Sequence, residues 1–133
     1  MKDLIWDKTV SVEIEEIDDD HRRLMELFNI LNHSIESGEA ENYIEAVLEE
    51  LINCTVWHFS HEERLMLKYE YEDIDDHKMQ HQNLLDSIRK LQQKFQQERK
   101  LQSEEFLEFV ELWLTRHILV ADMKLGSHLM TRM

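Results

Sequence analysis

Seven side chains that can ligate a metal ion lie in or next to predicted helices, and four of them form two pairs at helical spacing. His58 and Glu62 are four residues apart, and so are His77 and His81. A step of four residues turns an α-helix through about 400°, so both members of each pair project in nearly the same direction. Each pair can therefore hold one metal ion.

Two further histidines continue apolar stripes of predicted helices. His21 lies one turn before Leu24, and His117 continues the stripe of Val110 and Trp113. An uncompensated polar group in an apolar core costs roughly 2–7 kcal/mol. Five inward histidines with carboxylates nearby therefore indicate metal coordination, and nitrogen ligands favour iron, zinc, copper or nickel over calcium or magnesium.

Asp122 is the seventh candidate ligand, although a regular helix would turn it away from the others. It lies five residues after His117, and that step of about 500° leaves it about 140° from the same face of an ideal helix. We therefore predict that the last helix either carries a π-type bulge or tightens and ends between these two residues.

The composition predicts that helices position these residues. The chain has 133 residues, no proline and only two glycines, Gly38 and Gly126, with 42% hydrophobic and 33% charged residues. This length fits one compact domain, which we assign to residues 1–133, and the scarcity of turn-forming residues favours an all-α fold.

Apolar spacing predicts four helices behind an extended N-terminal arm. Apolar and polar residues alternate in the arm, and acidic residues near Asp18 precede the first helix, which ends at Gly38. Ser103 can cap the fourth helix. The arm is predicted at 1–17 and the helices at about 18–37, 41–68, 74–97 and 104–121. Short connections between long helices favour an antiparallel up-down-up-down four-helix bundle.

The charge balance and the single cysteine limit the environment and the partners. Asp and Glu number 29 against 15 Lys and Arg, a net charge of -14, which disfavours binding to nucleic acid and to anionic membranes. No apolar run is long enough to insert into a membrane. Cys54 is the only cysteine and the N-terminus lacks a signal-peptide pattern, so we expect a cytoplasmic protein.

These motifs resemble those of the hemerythrin family, in particular its bacterial members, over about Trp6 to Gly126. The similar residues are His21, His58-Phe59-x-x-Glu62, His77-x-x-x-His81 and Trp113-Leu114-x-x-His117-Ile118-x-x-x-Asp122. The resemblance implies a non-heme di-iron centre that binds dioxygen reversibly for storage, delivery or sensing. Such a centre holds two iron ions joined by an oxo or hydroxo bridge.

The resemblance also implies a role for each matching residue. Glu62 and Asp122 would bridge the two irons. His77, His81 and His117 would complete one iron, whereas His21 and His58 would bind the other and leave a position open for dioxygen. The pocket around that position would be lined by Leu24, Phe59, Trp113, Leu114 and Ile118. An apolar lining excludes water and so slows irreversible oxidation.

Three departures from the bacterial pattern leave all seven ligands in place. Asp20 stands where glutamine is common, Cys54 where tyrosine is frequent, and residues 70–72 replace a Gly-Tyr-Pro stretch. Asp20 and Cys54 are therefore candidates for a place behind the ligands. The remaining histidines, His33, His61 and His128, are predicted at the surface.

Other functions of a metal-binding bundle stay open at this point. The alternatives are a di-iron enzyme acting on dioxygen, peroxide or nitric oxide, an iron store, and a structural metal site. Five neutral imidazoles against two carboxylates should stabilise high-valent iron poorly, which favours binding of dioxygen over its activation. A weak oxidase or peroxidase side activity is compatible with this ligand set. Structural zinc sites are usually rich in cysteine, and this chain has one. The protein partner is unknown.

Overall fold

Four antiparallel helical segments enclose the core of the molecule. The structure is a computed structural model and describes residues 3–101 and 103–133. Helices α1, α2 and α3 are followed by a fourth segment built from α4, a π-helix and α5. Their bounds are Glu15–Glu36 for α1, Glu41–Lys68 for α2, Ile74–Glu98 for α3, Ser103–Glu111 for α4, Leu112–Asp122 for the π-helix and Met123–Met130 for α5. The predicted all-α four-helix bundle is confirmed.

Local sequence explains where the helices begin and end. Acidic residues occupy the first turns of α1, α3 and α4, where they interact favourably with the helix dipole. After α1 the chain turns at Gly38 with a φ of 68°, and after α3 it turns at Arg99 with a φ of 54°. Left-handed residues of this kind end helices. None of the described helices is both long and apolar enough to cross a membrane.

The apolar stripes meet in a core that surrounds the predicted ligands. Phe28, Phe59, Phe106 and Trp113 are among its largest fully buried side chains. A second cluster, which includes Val12, Ile14, Leu125 and Leu129, lies between the N-terminal arm and α5.

The N-terminal arm is shorter than predicted. Residues 8–10 form a 3-10 turn, and α1 begins at Glu15, so the period-two pattern was wrong for residues 15–17. The side chain of Asp18 explains the difference, because it bonds back to the arm. Its carboxylate accepts hydrogen bonds from the Val12 N–H at 2.9 Å and from the Ser11 hydroxyl at 2.6 Å, which holds the arm against the first turn of α1.

The fourth helical segment is longer than predicted. It continues through α5 to Met130, because Leu125 and Leu129 are fully buried beside the arm. At Gly126 an added Cβ would lie 2.4 Å from the Val12 carbonyl oxygen. Only glycine therefore permits this close approach. The side chain of Ser103, predicted to cap α4, lies outside the part of the chain that the structure describes.

Candidate metal centre

All seven predicted ligands are buried at the centre of the bundle, and each of its four helical segments supplies at least one. Their relative exposures are 0% for His21, His58, Glu62 and Asp122, 1% for His81, and 2% for His77 and His117. They fall into two groups that share both carboxylates. One group consists of Glu62, His77, His81, His117 and Asp122, and the other of His21, His58, Glu62 and Asp122. Within each group the ligand atoms all lie within 4.8 Å of one another.

Glu62 directs its two carboxylate oxygens to different groups. Oε1 lies 2.9 Å from Nε2 of His81 and 3.3 Å from Nε2 of His77. Oε2 lies 3.5 Å from Nε2 of His58 and 3.9 Å from Nε2 of His21. A carboxylate with one oxygen in each group is placed to bridge two metal ions.

Asp122 divides its oxygens in the same way. Oδ1 lies 3.0 Å from Nε2 of His77 and 3.2 Å from Nε2 of His117, whereas Oδ2 lies 3.0 Å from Nε2 of His21. The π-helix makes this possible, because its hydrogen bonds join residues five apart and so bring His117 and Asp122 to one face. The predicted π-type distortion is confirmed, and the alternative of a helix that ends before Asp122 is wrong.

The unpaired polar atoms of this region support metal coordination. Several of its buried nitrogens and oxygens make no well-oriented hydrogen bond to another described residue. They are both ring nitrogens of His21, Nε2 of His58 and His117, Oε2 of Glu62 and both carboxylate oxygens of Asp122. A buried polar atom left unpaired costs about 1–3 kcal/mol. Because so many unpaired atoms lie close together, a bound cation is the simplest explanation for them. Imidazole nitrogens with carboxylate oxygens suit iron and its neighbours in the transition series.

Protons and a metal ion compete for these atoms. Burial lowers the pKa of His77, but contacts with Asp122 and Glu62 outweigh burial and raise it to about 10. Burial likewise lowers the pKa of His21, but Asp122 raises it above its usual value. Burial raises the pKa of Glu62 and of Asp122, but the surrounding imidazoles hold both well below their usual range. The carboxylates are therefore ionised at neutral pH, and a metal ion must displace protons from imidazole.

Three of the ligand histidines contact an acceptor behind the site through Nδ1. His58 lies 2.9 Å from Asp20 Oδ2, His81 lies 2.9 Å from Glu63 Oε2, and His117 lies 3.4 Å from Gln80 Oε1. Such contacts fix the ring so that Nε2 points into the candidate metal site. Glu63 and Gln80 were missed at the level of sequence, although each is adjacent in the chain to a ligand.

Cys54 lies beside the site rather than in it. The thiol is half-buried, and burial raises its pKa. It lines a cleft of about 420 Å³ together with Asp20, Trp57 and His58.

Aromatic contacts place two of the five residues of the predicted apolar pocket beside predicted ligands. Leu24, Phe59, Trp113 and Ile118 are at most 1% exposed, and Leu114 is partly buried. The Trp113 ring meets the His21 ring edge-on at 5.8 Å. Phe59 lies beside both groups, because its ring stacks on that of His81 at 3.9 Å and lies 5.7 Å from that of His58.

Two of the three histidines predicted at the surface are half-buried. His61 Nδ1 lies 2.6 Å from Asp20 Oδ2, and His128 Nε2 lies 2.7 Å from the Tyr69 carbonyl oxygen. Only His33, whose side chain is 62% exposed, fits the prediction. The partners of His61 and His128 are distant in sequence, so helical spacing did not reveal them.

Comparisons with known proteins agree with the geometry. The family profile described as the hemerythrin HHE cation binding domain matches residues 12–129. A bacteriohemerythrin of Pseudomonas paraeruginosa is 30% identical over 118 residues, which cover 89% of this chain and 76% of that protein. A myohemerythrin of Theromyzon tessulatum is 29% identical over 119 residues, with 90% of this chain and 88% of that protein covered.

Solved structures share the fold. A crystal structure of wild-type hemerythrin matches with a TM-score of 0.85 and 29% identity, and covers 95% of this chain and 97% of its own. A hemerythrin substitution mutant matches with a TM-score of 0.87 and 28% identity, and covers 97% and 98%.

Proposed function

The chain belongs to the hemerythrin family, and from that membership we propose that it binds dioxygen reversibly at a centre of two iron ions. The observation that carries this proposal is the orientation of Glu62 and Asp122. Each carboxylate has one oxygen facing one group of histidines and the other oxygen facing the second group. A single-metal site would not require both carboxylates to face two sets of imidazoles.

We assign the ligands by group. His77, His81 and His117 would hold one iron, and His21 and His58 the other, with Glu62 and Asp122 bridging the two beside an oxo or hydroxo group. The group with His21 and His58 would offer its iron one protein ligand fewer than the other group. A small molecule would therefore bind on the side of His21 and His58.

The protein environment favours binding of dioxygen over its chemical activation. When bound, the two ferrous ions supply the electrons that dioxygen takes up reversibly. Five imidazoles and only two carboxylates form a ligand set of low negative charge. Around it we assign the pocket lining to Leu24, Phe59, Trp113, Leu114 and Ile118, whose apolar side chains would keep water and protons away from the centre. These features suit storage, delivery or sensing of dioxygen.

The test is an optical spectrum of the anaerobically reduced, iron-loaded protein, recorded before air is added, in air, and after air is removed. We expect a visible charge-transfer band that appears with dioxygen and disappears when dioxygen is removed. Permanent conversion to an oxidised form would refute reversible binding. The absence of any iron-dependent band would refute the di-iron centre.

Two variants control this experiment. His58→Ala removes a ligand that is fully buried, whereas His33→Ala removes a histidine whose side chain is 62% exposed. We expect the first variant to lose iron and the band, and the second to behave like the unmodified protein.

A further inference from the structure

A chain of hydrogen bonds leads from the proposed metal ligand His58 through Asp20 and His61 to Glu16 at the surface. Nδ1 of His58 and Nδ1 of His61 both contact Oδ2 of Asp20, at 2.9 Å and 2.6 Å. Nε2 of His61 lies 2.9 Å from Oε1 of Glu16. The side-chain exposure rises along this chain, from 0% at His58 through 14% at Asp20 and His61 to 45% at Glu16.

The positions of these residues follow from helix geometry. Glu16 and Asp20 are four residues apart on α1, and His58 and His61 are three apart on α2, so each pair occupies one helix face. Although His61 is adjacent to the ligand Glu62, its ring contacts α1 instead of pointing into the bundle. The ring of Trp57, 5.1 Å away, lies beside it.

We propose that His61 is a positioning residue for the metal ligand His58 and that it acts through Asp20. Carboxylate oxygens only accept hydrogen bonds, so Nδ1 of His61 donates to Asp20. This N–H group holds the Asp20 carboxylate in place, and Glu16 contacts the ring of His61 from its other side. The Asp20 oxygen then accepts from His58 at a fixed point, which keeps Nε2 of His58 directed at the metal.

This inference rests on the proposed metal centre and predicts a specific order among three variants of His61. Asn places its amide nitrogen near the position of Nδ1 and keeps a donor for Asp20, whereas Gln keeps a donor for Glu16 and Leu keeps neither. The measured quantity is the rate at which the iron-loaded full chain loses iron to an excess of chelator. We expect this rate to rise about tenfold in His61→Leu and His61→Gln, and by less than about twofold in His61→Asn.

A double-variant experiment tests whether the effect passes through Asp20. In an Asp20→Ala background, His61→Leu should cause no further increase in the rate, because residues that act through one another are not additive. His33→Asn is the matched control, since His33 also pairs with an aspartate, Asp3, at 2.6 Å but its side chain is 62% exposed. This control should lose iron at the rate of the unmodified protein.

The outcomes separate positioning from other roles. If His61 only joined α1 to α2, the His61 variants would have lower denaturation midpoints than the unmodified chain but would lose iron at the same rate. That result would overturn the proposal. Equal rates for the Asn and Leu variants, or a full effect of His61→Leu without Asp20, would overturn it as well. An unmodified chain that takes up no iron would refute the centre itself, whereas normal iron uptake with unchanged rates in all variants would refute only the role of His61.

Discussion

Removing one residue from the π-helix should preserve the metal centre. Val120 is the residue to remove, because it lies between His117 and Asp122 and is 64% exposed. In an α-helix the five-residue step from His117 turns Asp122 about 140° from the site, whereas the four-residue step after the deletion turns it only about 40° away. Since π-helices are rare, the shortened segment should adopt α geometry and keep both side chains at the centre.

Deletion of Met79 provides the matched control. Met79 is also 64% exposed and lies between two ligands, His77 and His81. This part of α3 is already a regular α-helix, so the deletion rotates every later residue by about 100°. Leu84 and Ile88 would then leave the core, and His81 would leave the site.

The assay compares iron content and helical circular dichroism of the two deletion variants. We expect the Val120 deletion to keep the iron content and visible spectrum of the unmodified chain, and the Met79 deletion to lose both. A Val120 deletion that remains helical but binds no iron would refute the reasoning, because α geometry would then fail to replace the π-helix at this site.

Three further predictions concern packing, protons and the pocket. Gly126→Ala places a Cβ 2.4 Å from the Val12 carbonyl oxygen and should lower the free energy of unfolding in urea by about 1–3 kcal/mol; an unchanged midpoint would show that the arm moves away freely. Because the pKa of His77 is raised from 6.5 to about 10, its proton stabilises the metal-free chain fully below pH 6.5, and this stabilisation disappears as the pH rises through about 10. Metal uptake at pH 7 should therefore release protons, and calorimetric enthalpies that do not depend on the buffer would contradict this. Leu24→Ala, at a residue that is 0% exposed, should cost about 2–5 kcal/mol and accelerate oxidation of the iron centre, while Leu67→Ala, 69% exposed, should change neither.

Helical periodicity was sufficient to predict the bundle and to bring the candidate ligands together. The pairs His58 with Glu62 and His77 with His81 follow from the four-residue step alone. Asp122 shows the limit of that argument, since a five-residue step reveals that the helix must be distorted but not how far the distortion extends. The π-helix covers 11 residues, a length that depends on packing along the whole segment.

Contacts between distant residues account for what the sequence did not predict. The start of α1 depends on the hydrogen bonds from the arm to Asp18, and the end of α5 depends on the packing of Val12 against Gly126. The bond between His61 and Asp20 joins residues 41 positions apart. Such pairings need the relative orientation of two helices, which periodicity within either helix does not contain.

The sharing of Glu62 and Asp122 between both histidine groups also has a topological consequence. His21 and Asp122 are roughly 100 residues apart in the sequence, and a bound ion that joins them closes nearly the whole chain into a ring. Cross-links that close long loops reduce the entropy of the unfolded chain, with a benefit that grows slowly with loop length. In a protein with one cysteine, and hence without an internal disulfide, the proposed iron pair would cross-link all four helical segments. A larger supply of iron would then favour the folded state.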